Sequence, residues 1–121
     1  MTEEELQRLL EKTLSAADLH NVFVEACQDQ DVRLRFSLKP GETWSSGALL
    51  SLVDISLRAA ADVSAALKHL NITVLKAVHD ADVIALSRVI RRDSNDFHAE
   101  AWLFSHAVVD PMIHATGTLR G

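Results

Sequence analysis

Apolar positions recur along this chain with two different periods. From Thr2 to about Ala17, Leu6, Leu9, Leu10 and Leu14 fall at helical spacing. Thr2, with Glu5 three residues later, makes a capping-box pattern, and together these predict a short amphipathic N-terminal helix. Val22, Val24 and Ala26 then alternate with Phe23, Glu25 and Cys27, the period of a strand. The polar run Gln28 to Asp31 supplies turn chemistry before a second alternating segment, in which Val32, Leu34, Phe36 and Leu38 point one way and Arg33, Arg35 and Ser37 the other. Pro40-Gly41 ends that strand.

The longest nearly apolar stretch runs from Gly47 to Leu67 and is interrupted at intervals of four by Asp54, Arg58 and Asp62. A lipid-facing helix does not tolerate those charges, so the stretch reads as a buried helix ending near Ser64 or Ala65. It is short of polar positions on nearly every side and must therefore be surrounded, as by a sheet curling around it. Four strand candidates follow, Leu67 to Leu75, Val83 to Arg92, Phe97 to Val108 and Met112 to Leu119. Asp93-Ser94-Asn95-Asp96 has hairpin-turn composition, and Asp110-Pro111 marks the next reversal. The order predicts an α+β fold: a short N-terminal helix, two short strands, a long central helix, then four longer antiparallel strands with tight connections.

Composition narrows the function classes. A length of 121 residues fits one core, and no repeat, low-complexity segment or linker offers a boundary, so residues 1–121 are expected to form a single domain. Apolar residues at 48% and charged residues at 24% describe a folded, water-soluble chain with no membrane partner. A formal net charge of -5 opposes nucleic acid, whose binding depends on clustered cations. The acidic start, Met1 to Glu5, lacks the basic flank and apolar run of a secretory signal, which sets the expectation of a cytoplasmic protein. There the Asn71-Ile72-Thr73 sequon has no glycosylation machinery to meet. Cys27 stands alone, excluding an intramolecular disulfide and a cysteine-rich metal site. His20, His79, His98, His106 and His114 show no metal-ligand spacing, so no metal is expected.

The segment from Trp44 to Val63, with Ser45-Ser46-Gly47 at the helix entry and Leu52-Val53-Asp54 inside it, resembles the helix-entry motif of the PaaI-like hotdog thioesterases. In that family a His-Gly-Gly loop opens the central helix and a carboxylate follows in a Leu-Ala-Asp or Leu-Val-Asp context. Leu70 to Ala77 resembles the strand after that helix, and Ala115-Thr116-Gly117-Thr118-Leu119 resembles the closing strand. The likeness runs in order from about Val32 to Leu119. It implies a hotdog fold, an antiparallel sheet wrapped around a central helix, and acyl-CoA thioester hydrolysis by a homodimer or dimer of dimers whose active sites lie between subunits. No separate cofactor is implied, since coenzyme A is part of the expected substrate. The departure is at the entry, where Ser45-Ser46-Gly47 keeps only the last glycine.

Thioester hydrolysis needs a base or carboxylate nucleophile and donors for the oxyanion. The resemblance assigns the first role to Asp54 and the second to the helix N-terminus at Gly47 and Ser46. Spacing alone offers Asp54 another role, an ion pair with Arg58 one turn later, shared with Asp62 through the same arginine. Arg58 needs a partner on so apolar a helix: Asp54, a carboxylate across an interface, or an acidic ligand. Ser45 and Ser46 are candidates to donate to a carbonyl, and one of them to cap the helix. His69 and Asn71, two apart on one strand, share a face and are candidates to border the acyl pocket. Arg88, Arg91 and Arg92 suit coenzyme A phosphates, a role the family often gives to basic residues near this hairpin. The absence of a Gly-x-Ser-x-Gly elbow argues against a serine nucleophile. Two other readings stand beside hydrolysis. One is a non-catalytic hotdog module binding an acyl or CoA-type ligand; the other is a hydratase or dehydratase, which wants a histidine beside its carboxylate that Asp54 lacks.

Overall fold

Thr2 begins the first helix as its sequence requires. In the computed structural model, which describes residues 1–15, 19–29, 31–78, 80–105 and 110–121, the Glu5 N–H donates to the Thr2 hydroxyl at 3.2 Å while the Thr2 N–H donates to the Glu5 carboxylate at 3.3 Å. Helix α1 (Glu3–Thr13) buries Leu6 and Leu10. It stops short of the expected Ala17: Leu14 caps it, and residues 16–17 lie outside the described residues.

Strands β1 (Val22–Gln28) and β2 (Asp31–Phe36) form an antiparallel pair that closes at Gln28 and Asp31, with a bulge between Val24 and Ala26. The second strand ends at Phe36 rather than Leu38, because the Leu38 N–H donates to the Asp82 carboxylate at 3.1 Å instead of to a neighbouring strand. Helix α2 (Ser46–Ala60) has 15 residues, which corrects the expectation of a long helix reaching Ala65. Asp62 accepts hydrogen bonds from the Ser64 N–H (3.0 Å) and hydroxyl (2.8 Å), a local turn that competes with another helical turn.

Strands β3 (Ala66–Val74), β4 (Val83–Asp93), β5 (Asp96–Ser105) and β6 (Pro111–Arg120) complete one antiparallel sheet of order β1-β2-β4-β5-β6-β3. The β4–β5 hairpin turns at Ser94-Asn95, as composition predicts, with Ser94 at φ 42°. The end expected for β5 at Val108 falls on residues outside those described. One expectation of neighbourhood fails: β3 does not join β4 by a tight turn but pairs with β6 at the far edge.

Alternation along β5 and β6 sorts the side chains cleanly. Ala99, Ala101, Leu103, Ala115 and Leu119 face α2 with Leu34, Phe36 and Ala85, against Leu52, Val53 and Leu57. Helix α2 packs on β2, β4, β5 and β6, the arrangement the hotdog resemblance implies. Small residues let it lie close: a Cβ placed on Gly117 would sit 2.8 Å from Leu57 Cδ1 and 3.3 Å from the His69 carbonyl oxygen. The opposite side of α2, along Gly47, Leu50, Asp54 and Arg58, is exposed or half-buried.

Candidate functional site

The approach to α2 is pinned before the helix begins. The Trp44 indole N–H donates to the Ala81 carbonyl at 2.7 Å and its backbone N–H to the Asp80 carboxylate at 3.2 Å, tying this loop to the β3–β4 connection. Ser45 is the N-cap, its hydroxyl accepting from the Ala48 N–H at 3.1 Å, so of the two candidate serines it is the one that caps. The next N–H groups, of Ser46 and Gly47, have no intrahelical acceptor by helix geometry and carry the positive end of the dipole. Both residues are exposed, and a Cβ on Gly47 would meet nothing within 4 Å. The chain's own packing therefore leaves this helix end open.

Seven residues on from Gly47, nearly two turns, Asp54 occupies the same uncovered stripe. Arg58 grips it with both arms: Nε donates to Oδ1 at 3.0 Å and a terminal nitrogen to Oδ2 at 2.6 Å, each side chain about a quarter exposed. The carboxylate raises the guanidinium's pKa further, against a smaller opposing effect of burial. Asp62 takes no part in this pair, its carboxylate being used on Ser64.

Beside the helix end runs a groove of about 280 Å³ between α2 and the tips of β3 and β6, walled by Leu49, Leu50, Val53, Ile72, Val74 and Ile113, with Ser46 at its polar end. Sequence reasoning did not find this groove, because its walls come from three elements whose adjacency no local pattern encodes. The exposure of large apolar residues around it, with Leu50 at 50% and Val74 at 65%, is its signature.

Other candidates lie elsewhere. His69 and Asn71 pair with Thr118 and Thr116, so they point to the outer face, away from α2. They do not border the groove of their own chain. Arg88 is also on that face, donating to Glu100 at 2.7 Å. Arg91 pairs with Asp93 at 2.8 Å, and Arg92 lies over the Phe97 ring at 4.8 Å beside the C-terminal end of α2, the opposite end from Gly47. The structure thus joins Asp54 to Arg58 and Ser46 to the groove, and separates both from the arginines and from His69 and Asn71.

The outer face carries a cluster that sequence reading did not single out. Glu100, between Arg88 and His114 (3.2 Å to Nε2), is pushed up by burial and brought lower overall by those two partners, while Trp102 stacks on His114 with centroids 3.9 Å apart. Cross-strand register places all four, and only the pairing of β4, β5 and β6 reveals it. Among the described residues no group of three or more His, Cys, Asp or Glu is placed to hold a metal ion, and no helix is long and apolar enough to cross a membrane.

No protein-family model matches the sequence, nor does any curated protein. Solved structures do match over almost the whole chain. Zebrafish thioesterase superfamily member 2 superposes with a TM-score of 0.76 at 19% identity, covering 98% of this chain and 94% of its own. The PaaI protein of the Escherichia coli phenylacetic acid degradation operon does so at 0.76 and 10% identity, covering 98% and 96%. A hypothetical thioesterase of Streptococcus pneumoniae, solved with coenzyme A, gives 0.78 at 13% identity and 94% of each chain.

Proposed function

We propose that this chain, which has the hotdog fold of the PaaI-like thioesterases, hydrolyses an acyl-CoA thioester with Asp54 as its base or nucleophile. The observation that carries the reading is the shared stripe of α2, where a quarter-exposed carboxylate and an open helix N-terminus both face away from the chain's own sheet. A thioester carbonyl oxygen would rest on the N–H groups of Ser46 and Gly47, which favour the oxyanion over the ground-state carbonyl. With Asp54 as base, the carboxylate takes a proton from water as its oxygen attacks the carbonyl carbon. Collapse of the oxyanion then breaks the C–S bond and releases the coenzyme A thiolate, which takes up the proton.

Distance argues for two copies. Gly47 and Asp54 are about 10 Å apart along the axis, and the free N–H groups point out of the helix end, away from Asp54. One helix therefore does not put both groups on one carbonyl. A homodimer in which Asp54 faces the α2 N-terminus of a second copy supplies the missing half, and β3, an edge strand beside exposed Val74 and Leu75, is the natural seam. The same pairing would let arginines of a partner's β4 approach the phosphates. Arg92 is the best placed of these, since Arg88 and Arg91 already hold carboxylates while Arg92 has no salt bridge among the described residues.

One observation favours a second reading, a non-catalytic acyl-CoA-binding module: both oxygens of Asp54 are held by Arg58. Release of thiol from a panel of acyl-CoA thioesters, by the wild type and by Asp54→Asn side by side, decides between them. Hydrolysis expects turnover in the wild type and loss of most of the rate in a folded variant; binding without turnover in both establishes the module.

A further inference from the structure

The outer face of the sheet, turned away from α2, holds a depression of about 430 Å³. Cross-strand register builds it from two rows. Asp31, Arg88 and Glu100 lie side by side on β2, β4 and β5, and Arg33, Leu86 and Trp102 form the row beside them. Between the rows, Val32 and Ser87 turn their side chains into the core and offer the depression only strand backbone. The floor is therefore flat and largely apolar, with exposed Leu86 in the middle. The Trp102 indole, stacked on His114 with centroids 3.9 Å apart, stands at one end.

The charges around this floor divide into satisfied and unsatisfied groups. Glu25 and Glu100 are mostly covered, and each accepts from the Nε of an arginine, Arg33 at 2.8 Å and Arg88 at 2.7 Å. The terminal nitrogens of both arginines make no hydrogen bond among the described residues, and the two side chains are 49% and 63% exposed. Asp31, exposed and opposite Arg88, likewise has no ion pair among the described residues. Diagonal neighbours on paired strands are about 7–8 Å apart, so Arg33 and Arg88 reach one point from two corners, Asp31 reaches it from a third, and Leu86 is the fourth.

Two part-free guanidiniums suit a carboxylate, the unpaired carboxylate suits an ammonium, and the floor from Leu86 to Trp102 suits a flat ring. We propose that this depression binds a free α-amino acid with an aromatic side chain. Its carboxylate lies on the terminal nitrogens of Arg33 and Arg88, its ammonium on Asp31, and its ring on Leu86 against Trp102. The volume holds about fourteen water-sized groups at roughly 30 Å³ each, room for one aromatic ring and an amino-acid backbone. A plain carboxylate would set an anion beside Asp31, and a plain amine would set a cation beside two arginines, so repulsion as well as attraction selects the zwitterion. None of Ser46, Gly47 and Asp54 takes part, so the site stands or falls apart from thioester hydrolysis.

The test is titration of isotope-labelled protein with L-phenylalanine, followed by NMR at the indole N–H signals of the two tryptophans, which Trp102→Phe assigns. Trp44, hydrogen-bonded to the Ala81 carbonyl at the approach to α2, is the internal control. The expected result is a saturable shift at Trp102 and none at Trp44. 3-Phenylpropanoate, which lacks the ammonium, and L-phenylalaninamide, which lacks the carboxylate, should each bind about fivefold weaker or more, the scale of one half-exposed ion pair. L-Alanine, without a ring, should leave Trp102 unmoved. Asp31→Asn, at an exposed position, should weaken L-phenylalanine by a similar factor and leave 3-phenylpropanoate unchanged or tighter. Equal binding of the three aromatic ligands, or a Trp102 shift with L-alanine, overturns recognition of an aromatic amino acid. A shift at Trp44 alone, or at neither indole, overturns the site. So does a Trp102 signal that moves with protein concentration before any ligand is added, since this face is then buried against a second copy.

Discussion

Arg58 is where the two functional readings meet. Its two hydrogen bonds hold the Asp54 carboxylate in one orientation, and each oxygen keeps a further lone pair for water or substrate. If Asp54 acts as proposed, Arg58→Ala lowers kcat about tenfold or more with little change in KM, and Arg58→Lys recovers only part of it, because an ammonium does not reproduce the fork. Stability barely responds: an i, i+4 pair this exposed contributes about 0.3–0.5 kcal/mol, a melting shift of only a degree or two in calorimetry. Gly117 lies at the other extreme. Gly117→Ala puts a Cβ 2.8 Å from Leu57 Cδ1, and Leu57 is fully buried. The expected cost is about 1–3 kcal/mol, read as a lowered denaturation midpoint in urea. The sequence shows Asp54, Arg58 and Gly117 plainly, but the fork between the first two and the crowding at the third depend on rotamers and on a helix crossing the sheet.

At the scale of elements, the β4–β5–β6 meander is laced across its outer face by Arg88, Glu100 and His114. Burial pushes Glu100 up, and hydrogen bonds from Arg88 and His114 outweigh it, leaving the folded value below the ordinary one of about 4.3. A carboxylate with a depressed folded pKa stabilises the fold above its unfolded value, and the contribution disappears as pH falls through the folded value. Glu100→Gln therefore lowers the melting temperature at pH 7 by about 4 °C and makes the decline below about pH 4.3 shallower than in the wild type. A parallel slope in both proteins would remove Glu100 as a source of acid sensitivity. Gln7 does comparable work for α1, donating to the Val22 carbonyl at 3.0 Å and accepting from the Val24 N–H at 2.8 Å. Both groups lie on the free edge of β1, so Gln7→Ala exposes that edge and costs about 1–2 kcal/mol, visible as faster hydrogen exchange at Val24.

For the whole molecule, the open end of α2, the edge strand β3 and the apolar rim at Leu50 and Val74 all lie on one side, and exposed Leu75 follows directly on β3. The expected state in solution is a homodimer across that side. Light scattering at micromolar concentration should give twice the chain mass, and Leu75→Asp should shift the population toward monomer and lower thiol release in step with it. A wild type that stays monomeric while hydrolysing acyl-CoA would overturn the two-copy site.

Periodicity was enough to read most elements of this chain. Alternation at Val32, Leu34 and Phe36, the capping box at Thr2 and the turn at Ser94-Asn95 are local signals, and each element formed where its local physics favours it. The helix carboxylate and the entry serines were legible for the same reason, since capping and i, i+4 spacing act within a few residues. Tertiary structure alone decided that β3 runs beside β6, that His69 and Asn71 face outward, and that three distant elements wall a groove. Strand order and side-chain adjacency come from how the faces are buried against one another, and a one-dimensional pattern of apolar residues is compatible with several such arrangements.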